Sequence, residues 1–279
     1  VTAHKVTEQT LKVLITVKTY PIPSSKYDEL VCTAGVTPAG KFVRLYPINF
    51  RDLPYDQQFR KYQWIEVDVA KHTGRDQRKE SYRPNKDSIQ TFGEPIGTNR
   101  GTWKDRSLIV LQNRSTSMEC LWDAQTADNT SLGVIRPRRI HNLKYSRVES
   151  EWRPSQTQAI RQARIWEDRS ASLIPPRKVP FDFHYRFECD DDRCNGHRMS
   201  VHDWEVGALF WRNVDQGHSH EAAAEQVTKR FYDEICGEDR DTHFYVGTVL
   251  NYANWIVLGL FYPKLQNPTP NDKQLGLWG

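Results

Sequence analysis

Two short runs set the strongest limits on what this chain can fold into. In FDFHYRF (181–187) aromatic residues alternate with polar ones, and in QWIEVDVA (63–70) Ile65, Val67 and Val69 alternate with Trp64, Glu66 and Asp68. A period of two sends successive side chains to opposite faces, so each run is a strand with one buried and one wet side. Strands of that kind, if numerous and separated by Gly and Pro, build a β-barrel or a sandwich.

The rest of the chain supplies them. LKVLITVKTYPIP reads as a strand that ends at two prolines, and YDELVCTAGVTPAGKFVRLYPINF reads as a hairpin turning at Pro38, Ala39 and Gly40. Its second strand puts Phe42, Arg44 and Tyr46 on one face and Val43, Leu45 and Pro47 on the other. Residues 72–107 are polar and broken, and read as a long surface crossing. SLIVLQN, SMECLWDA, THFYVGT and NWIVLGLFYP read as further strands.

A helical period enters at SQTQAIRQARIWEDRSASL, where Ile160, Ala163 and Trp166 form a stripe behind Ser155 as N-cap. Ser200 to Asp203 fits a capping box for a helix reaching about Arg212. Ala224, Val227, Phe231 and Ile235 mark another helix in HEAAAEQVTKRFYDEIC. With the proline-rich IPPRKVP taken as a boundary, the expected class is α+β. A basic β-barrel region covers 1–153, a helical connection 154–180 and an α+β domain 181–279, with no internal repeat.

The charge is split along the same line. Residues 1–176 carry 28 Lys/Arg against 19 Asp/Glu, and residues 177–279 carry 11 against 16, so a polyanion is expected to dock on the first part. No apolar run approaches the roughly 18–20 residues that span a bilayer. The first residues lack the order of a secretory signal, and the expectation is a cytoplasmic protein with no membrane partner. Five scattered cysteines make a poor disulfide framework.

Two of those cysteines lie in FECDDDRCNGHRMSVHDWE (187–205), as Cys189-x4-Cys194-x2-His197. Thiolates with an imidazole suit Zn2+, which takes four ligands tetrahedrally at about 2.0–2.3 Å. Three ligands are assigned by spacing, and His202, Cys236 or His243 are the candidates for the fourth. A structural zinc is favoured over a catalytic one, because catalysis needs an open coordination position and a nearby acid or base. Unligated thiols remain the bland alternative.

No Walker, dinucleotide, zincin or nucleophile-elbow motif occurs. Basic and aromatic side chains on β-structure point instead to nucleic acid, gripped by stacking and phosphate contacts. The candidates are Arg44, Tyr46, Arg51, Arg60 and Lys61, with Arg136, Arg138 and Arg139 further on. Rival readings are a metal-dependent nuclease or other hydrolase built on His197, Asp203 and Glu205, and a protein-interaction module with tryptophans at its surface.

The strings ELVCTAGVTPAGKFVRLYPI, TSLGVIRPRRI and VPFDFHYRFECDDDRCNGHRMSVHDWE resemble a family of largely uncharacterised bacterial proteins with paired OB-like barrels and a C-terminal Cys/His-containing domain. The resemblance implies an oligonucleotide-binding type of barrel and a family Cys/His pattern at Cys189, Cys194 and His197. It also implies an accessory role in mobile-element or defence systems, with protein partners from such complexes. The expectation is therefore a nucleic-acid-binding protein, DNA ahead of RNA, with a structural zinc.

Overall fold

The computed structural model describes residues 8–24, 28–72, 76–157, 176–249 and 254–265. Its fold is mixed α+β, and the first half closes into a five-strand barrel. The staves are β1 (Glu8–Lys18), β3 (Asp28–Val36), β4 (Phe42–Ile48), β6 (Ser81–Pro84) and β5 (Trp64–Lys71), in that order around the circuit, with β5 returning to β1. All neighbours are antiparallel except β4 and β6. Short strands β2 (Ile22–Ser24) and β7 (Gln90–Phe92) lie beside β3 and β5. The alternation expected of 64–70 is present, with Ile65, Val67 and Val69 packed inside against Val13, Val31 and Leu45. Residues 72–107 are more than a surface crossing, since they contribute β6, which closes the barrel.

The second half repeats that circuit without repeating the sequence. Its first stave is interrupted at Pro137, giving β8 (Leu132–Ile135) and β9 (Arg139–Arg147). β8 pairs with β12 (His243–Thr248), while β9 pairs with β10 (Phe181–Glu188). β10 pairs with β11 (His197–Ser200) and β12 with β13 (Trp255–Phe261). A parallel bridge from Val201 to Val257 links the end of β11 to β13 and completes the ring. In both halves the leading part of the first stave pairs with the fourth, and its trailing part with the second. The strands at 132–147, grouped by sequence with the first barrel, hydrogen-bond with β10 and β12. The proline-rich run at 174–180 is visible in the sequence, whereas strand partners are chosen far along the chain.

Two expected strands are helices. SLIVLQN lies in α1 (Lys104–Val110) and SMECLWDA in α2 (Met118–Asp128). Apolar runs of four or five residues do not fix a period, and Ser117 decides the second case by accepting the Cys120 N–H at 3.1 Å as N-cap. Between the third and fourth staves of the second half stand α3 (Trp204–Asp215) and α4 (His220–Thr228), the latter running on into a π-turn over 229–234. The cap of α3 is Asp203, whose carboxylate accepts the Glu205 N–H, while Ser200 belongs to β11. Ala224, Val227, Phe231 and Ile235 are buried as their spacing predicts. The helix expected over 155–173 falls mostly on 158–175, outside the described residues.

The halves share a core. Leu14, Val17, Ala34 and Val36 on the outside of the first barrel pack against Leu132, Val134, Ile256 and Leu258 on the outside of the second. Full burial of each of these Leu, Val and Ile side chains contributes about 1.5–3 kcal/mol. Gly247 is needed at this seam, because a Cβ there would come within 3.1 Å of Arg44 and closer still to Leu132 and Leu258. The chain end of β1 also joins the other half directly, with Tyr20 N–H donating to the His202 carbonyl at 3.0 Å.

Candidate metal centre and nucleic-acid face

Cys189 leaves the end of β10 fully buried, and the loop after it folds back so that Cys194 N–H reaches the Asp191 carbonyl at 3.0 Å. Gly196 takes φ +85°, a left-handed turn that lets His197 enter β11 opposite Phe187. The loop is tied down by Asp191, which accepts from Arg193 and from Ser117 Oγ, the latter at 2.7 Å. The ligand atoms of Cys189, Cys194, His197 and Glu119 all lie within 4.8 Å of one another. Cys194 Sγ is 3.2 Å from His197 Nε2, which is 3.1 Å from Glu119 Oε1.

These four residues can hold a metal ion. The donor set combines sulfur, nitrogen and oxygen at spacings a tetrahedral ion would span. Glu119 Oε2 is buried with no hydrogen-bond partner, a costly position for a carboxylate oxygen unless a cation compensates it. The side chains of Glu119 and His197 are each 5% exposed and Cys189 is buried, while Cys194 is half-buried. Three members of this cluster were legible from spacing. Glu119 was not, because it lies some 70 residues before the cysteines, in a run that reads as a strand. The nominated fourth ligands lie elsewhere: Cys236 bonds the Phe231 carbonyl, His243 pairs with Asp241 at 3.0 Å, and His202 sits at the barrel seam.

The hydrolase constellation is not assembled. His197 belongs to the metal cluster, whereas Asp203 and Glu205 face Lys61, at 3.9 and 3.1 Å. Burial pushes the Asp203 carboxyl up to about 7.

The basic residues nominated for nucleic acid are scattered or engaged. Arg44 is 1% exposed and spends its guanidinium on Ser81, Ser131 and Thr248, which corrects its assignment to an open face. The face it shares with Phe42 and Tyr46 is covered by the second barrel; alternation told which residues share a side, but not what covers it. Lys61 is enclosed by Asp203 and Glu205. Arg60 pairs with Glu94, Arg136 with Asp241 and Arg138 with Glu188. Arg51 is half-buried in the turn Phe50–Asp52, and Tyr46 lines a slot at the seam. Arg139 is exposed at the start of β9.

The residues that do converge lie on the wet face of β10 and its neighbours. Phe181, Phe183, Tyr185 and Phe187 point inward, so His184 and Arg186 point out. Arg186 stands directly opposite Arg198 on β11, and His184 stands between Lys144 on β9 and Ser200 on β11. Like charges placed opposite one another destabilise a sheet, and among the described residues neither arginine has an ion pair. Burial, and then Arg198, lower the pKa of His184. A cleft of about 820 Å³ runs along this edge, lined by Trp122, His184, His197, Arg198, Ser200 and Asn254 among others. Trp122 is 44% exposed and meets the His197 ring edge-on at 5.3 Å. It lies one turn after Glu119, whose contact with His197 anchors the helix that presents it. The wet side of FDFHYRF carried this signal, though the eye goes to its aromatics.

Fold and site together define a mixed α+β protein whose closed barrel is joined to a second strand circuit with a metal-competent Cys/His/Glu cluster. The chain belongs to the family of the domain of unknown function DUF8757, whose model matches residues 114–277. A second model, the domain of unknown function DUF8758, matches residues 9–112. No curated protein matches the chain. Among solved structures, a murine DNA-binding protein bound with double-stranded DNA is similar at a TM-score of 0.30 and 9% identity, over 94% of this chain and 98% of that one. So faint a likeness says nothing about what this chain binds.

Proposed function

We propose that the protein binds single-stranded nucleic acid, DNA ahead of RNA, across the outer face of β9, β10 and β11, and that a structural Zn2+ at Glu119, Cys189, Cys194 and His197 holds that face in shape. The observation that carries the reading is the opposed pair Arg186 and Arg198, flanked by Lys144 and His184 and bordered by an exposed tryptophan. Two guanidinium groups held together with no ion pair among the described residues suit phosphates, even with Asp182 and Glu188 on the same face of β10, and Trp122 offers a flat surface for a base.

The connectivity supports the same site. A five-strand circuit with one parallel pair is the arrangement of OB-type barrels, which take oligonucleotides across strands two and three and the loop between strands four and five. In the second half those are β10, β11 and the connection between β12 and β13, and His184, Arg198, Val249 and Asn254 from them border the cleft. In the first half the equivalent face is the seam. The chain is therefore best divided near residue 113, with the first barrel acting as a platform for the second. The family resemblance assigns such a protein an accessory role in a bacterial defence or mobile-element complex.

Zinc is favoured by the two thiolates, and a set of four protein ligands, which fills a tetrahedral shell, favours a structural ion over a catalytic one. The test is a salt titration of binding to single- and double-stranded DNA and RNA. Affinity should fall steeply with salt, most tightly for the single-stranded DNA, and Arg186→Ala with Arg198→Ala should remove most of it. Binding that is weak and insensitive to salt overturns the reading.

A further inference from the structure

The cleft beside β11 does not end at the barrel wall. His202, Val249 and Ile256 line it and also line a second cavity of about 200 Å³ at the seam. That slot is walled by Ile22, Cys32, Tyr46, Thr248 and Leu258, with Thr19, Arg78 and His202 completing a mostly apolar lining. Arg78 is committed, pairing with Asp76 at 2.6 Å and donating to the Thr248 carbonyl at 3.0 Å. His202 is different. Its backbone is held from both sides, by Tyr20 and Val257, while among the described residues its ring makes no hydrogen bond.

Resting on the nucleic-acid reading above, we infer that this slot takes one base, unstacked from a strand whose phosphates lie along Arg186 and Arg198. The approach is cationic and the slot is apolar, and a nucleotide is the ligand that joins an anion to a flat apolar ring. Tyr46 and His202 put two rings at the slot. Burial lowers the pKa of His202, so its imidazole is neutral near pH 7 and offers one donor and one acceptor to a base edge. A base withdrawn from its stack needs such compensation for the contacts it leaves. Tyr46, unusable on an open barrel face, thus gains a role at the seam.

The test uses the full chain and a single-stranded DNA backbone of about 12 nucleotides, within the span of an OB-type site. One oligonucleotide is wholly abasic and its partner carries a single base, so that sliding lets the base find its best position. The single base should raise affinity about tenfold. Val249→Trp, at an exposed position beside the slot, and His202→Ala should each abolish that gain. Trp122→Ala should leave the abasic strand unchanged, because that strand offers its ring no base to stack on, and should preserve the gain. A gain below about threefold, or one that survives both slot variants, overturns the slot while leaving strand binding intact. Failure of intact oligonucleotides to bind in a salt-dependent way removes both readings together.

Discussion

Oε1 of Glu119 lies 3.1 Å from Nε2 of His197, tying the first turn of α2 to the first residue of β11. Without a cation between them, that contact leaves the other carboxylate oxygen of Glu119 buried and unbonded. Metal binding and folding should therefore be coupled here. Purified protein is expected to carry about one zinc per chain by elemental analysis. Cys194→Ser should lose the metal and about 4 kcal/mol or more of stability, read from urea unfolding. Glu119→Gln should weaken zinc retention against a chelator. Wild-type protein with no metal and unchanged stability in Cys194→Ser would falsify the clamp.

Arg186 and Arg198 can be separated from the structural arginines by their salt dependence. If both touch phosphates of a single strand, replacing both by alanine should reduce the slope of log affinity against log salt by about 1.4. Neither side chain has an ion pair among the described residues, so thermal stability should hold or rise slightly. A drop in affinity at every salt concentration with the slope unchanged would mean that the arginines shape the surface without meeting phosphate.

Arg44 should behave in the opposite way. Its Nη1 donates to Ser131 Oγ at 2.7 Å and its Nη2 to the Ser131 carbonyl at 2.9 Å, across the seam, and Glu80 grips the same serine from the other side. Arg44→Ala removes a buried charge and leaves those acceptors unpaired, at a cost of about 3–5 kcal/mol. Denaturant midpoints should fall accordingly, while the affinity of the fraction that remains folded for single-stranded DNA should not change.

These contrasts mark what the sequence can and cannot carry. The strands of FDFHYRF and QWIEVDVA were legible because a period of two is a local property. Cys189, Cys194 and His197 were legible as a cluster because they fall within nine residues of one another. Glu119 comes from a distant helix whose apolar run was too short to reveal its period. Arg44 and Arg186 look alike in one dimension, each within an alternating strand, and only the packing of one barrel against the other buries the first and leaves the second in water. The duplicated circuit left no mark in the local residue pattern and was offered only by the resemblance to a family with paired barrels, since both rings are defined by pairing between remote segments rather than by shared residues.

Asp203 provides a test by pH. Its Oδ1 accepts the Glu205 N–H at 2.9 Å as cap of α3, while Oδ2 is buried without a hydrogen bond and Lys61 Nζ stands 3.9 Å away. Burial raises the carboxyl from 3.8 to about 7, with Lys61 opposing the shift. Below pH 3.8 the group is protonated in folded and unfolded chains alike, and it costs nothing. As pH rises towards 7 the unfolded chain releases the proton first, so this group makes the folded state progressively less favourable. The full cost, on the order of 4 kcal/mol at 1.36 kcal/mol per tenfold, applies above that value. Asp203→Asn keeps a capping oxygen and cannot ionise. The stability difference between Asp203→Asn and wild type should therefore move in the variant's favour from pH 4.5 to pH 8. Taking the difference cancels the zinc ligands, whose protonation acts in the reverse direction. Urea midpoints for both proteins across that range check it, and a difference that is flat or falls with pH would show that Lys61 keeps Asp203 ionised throughout.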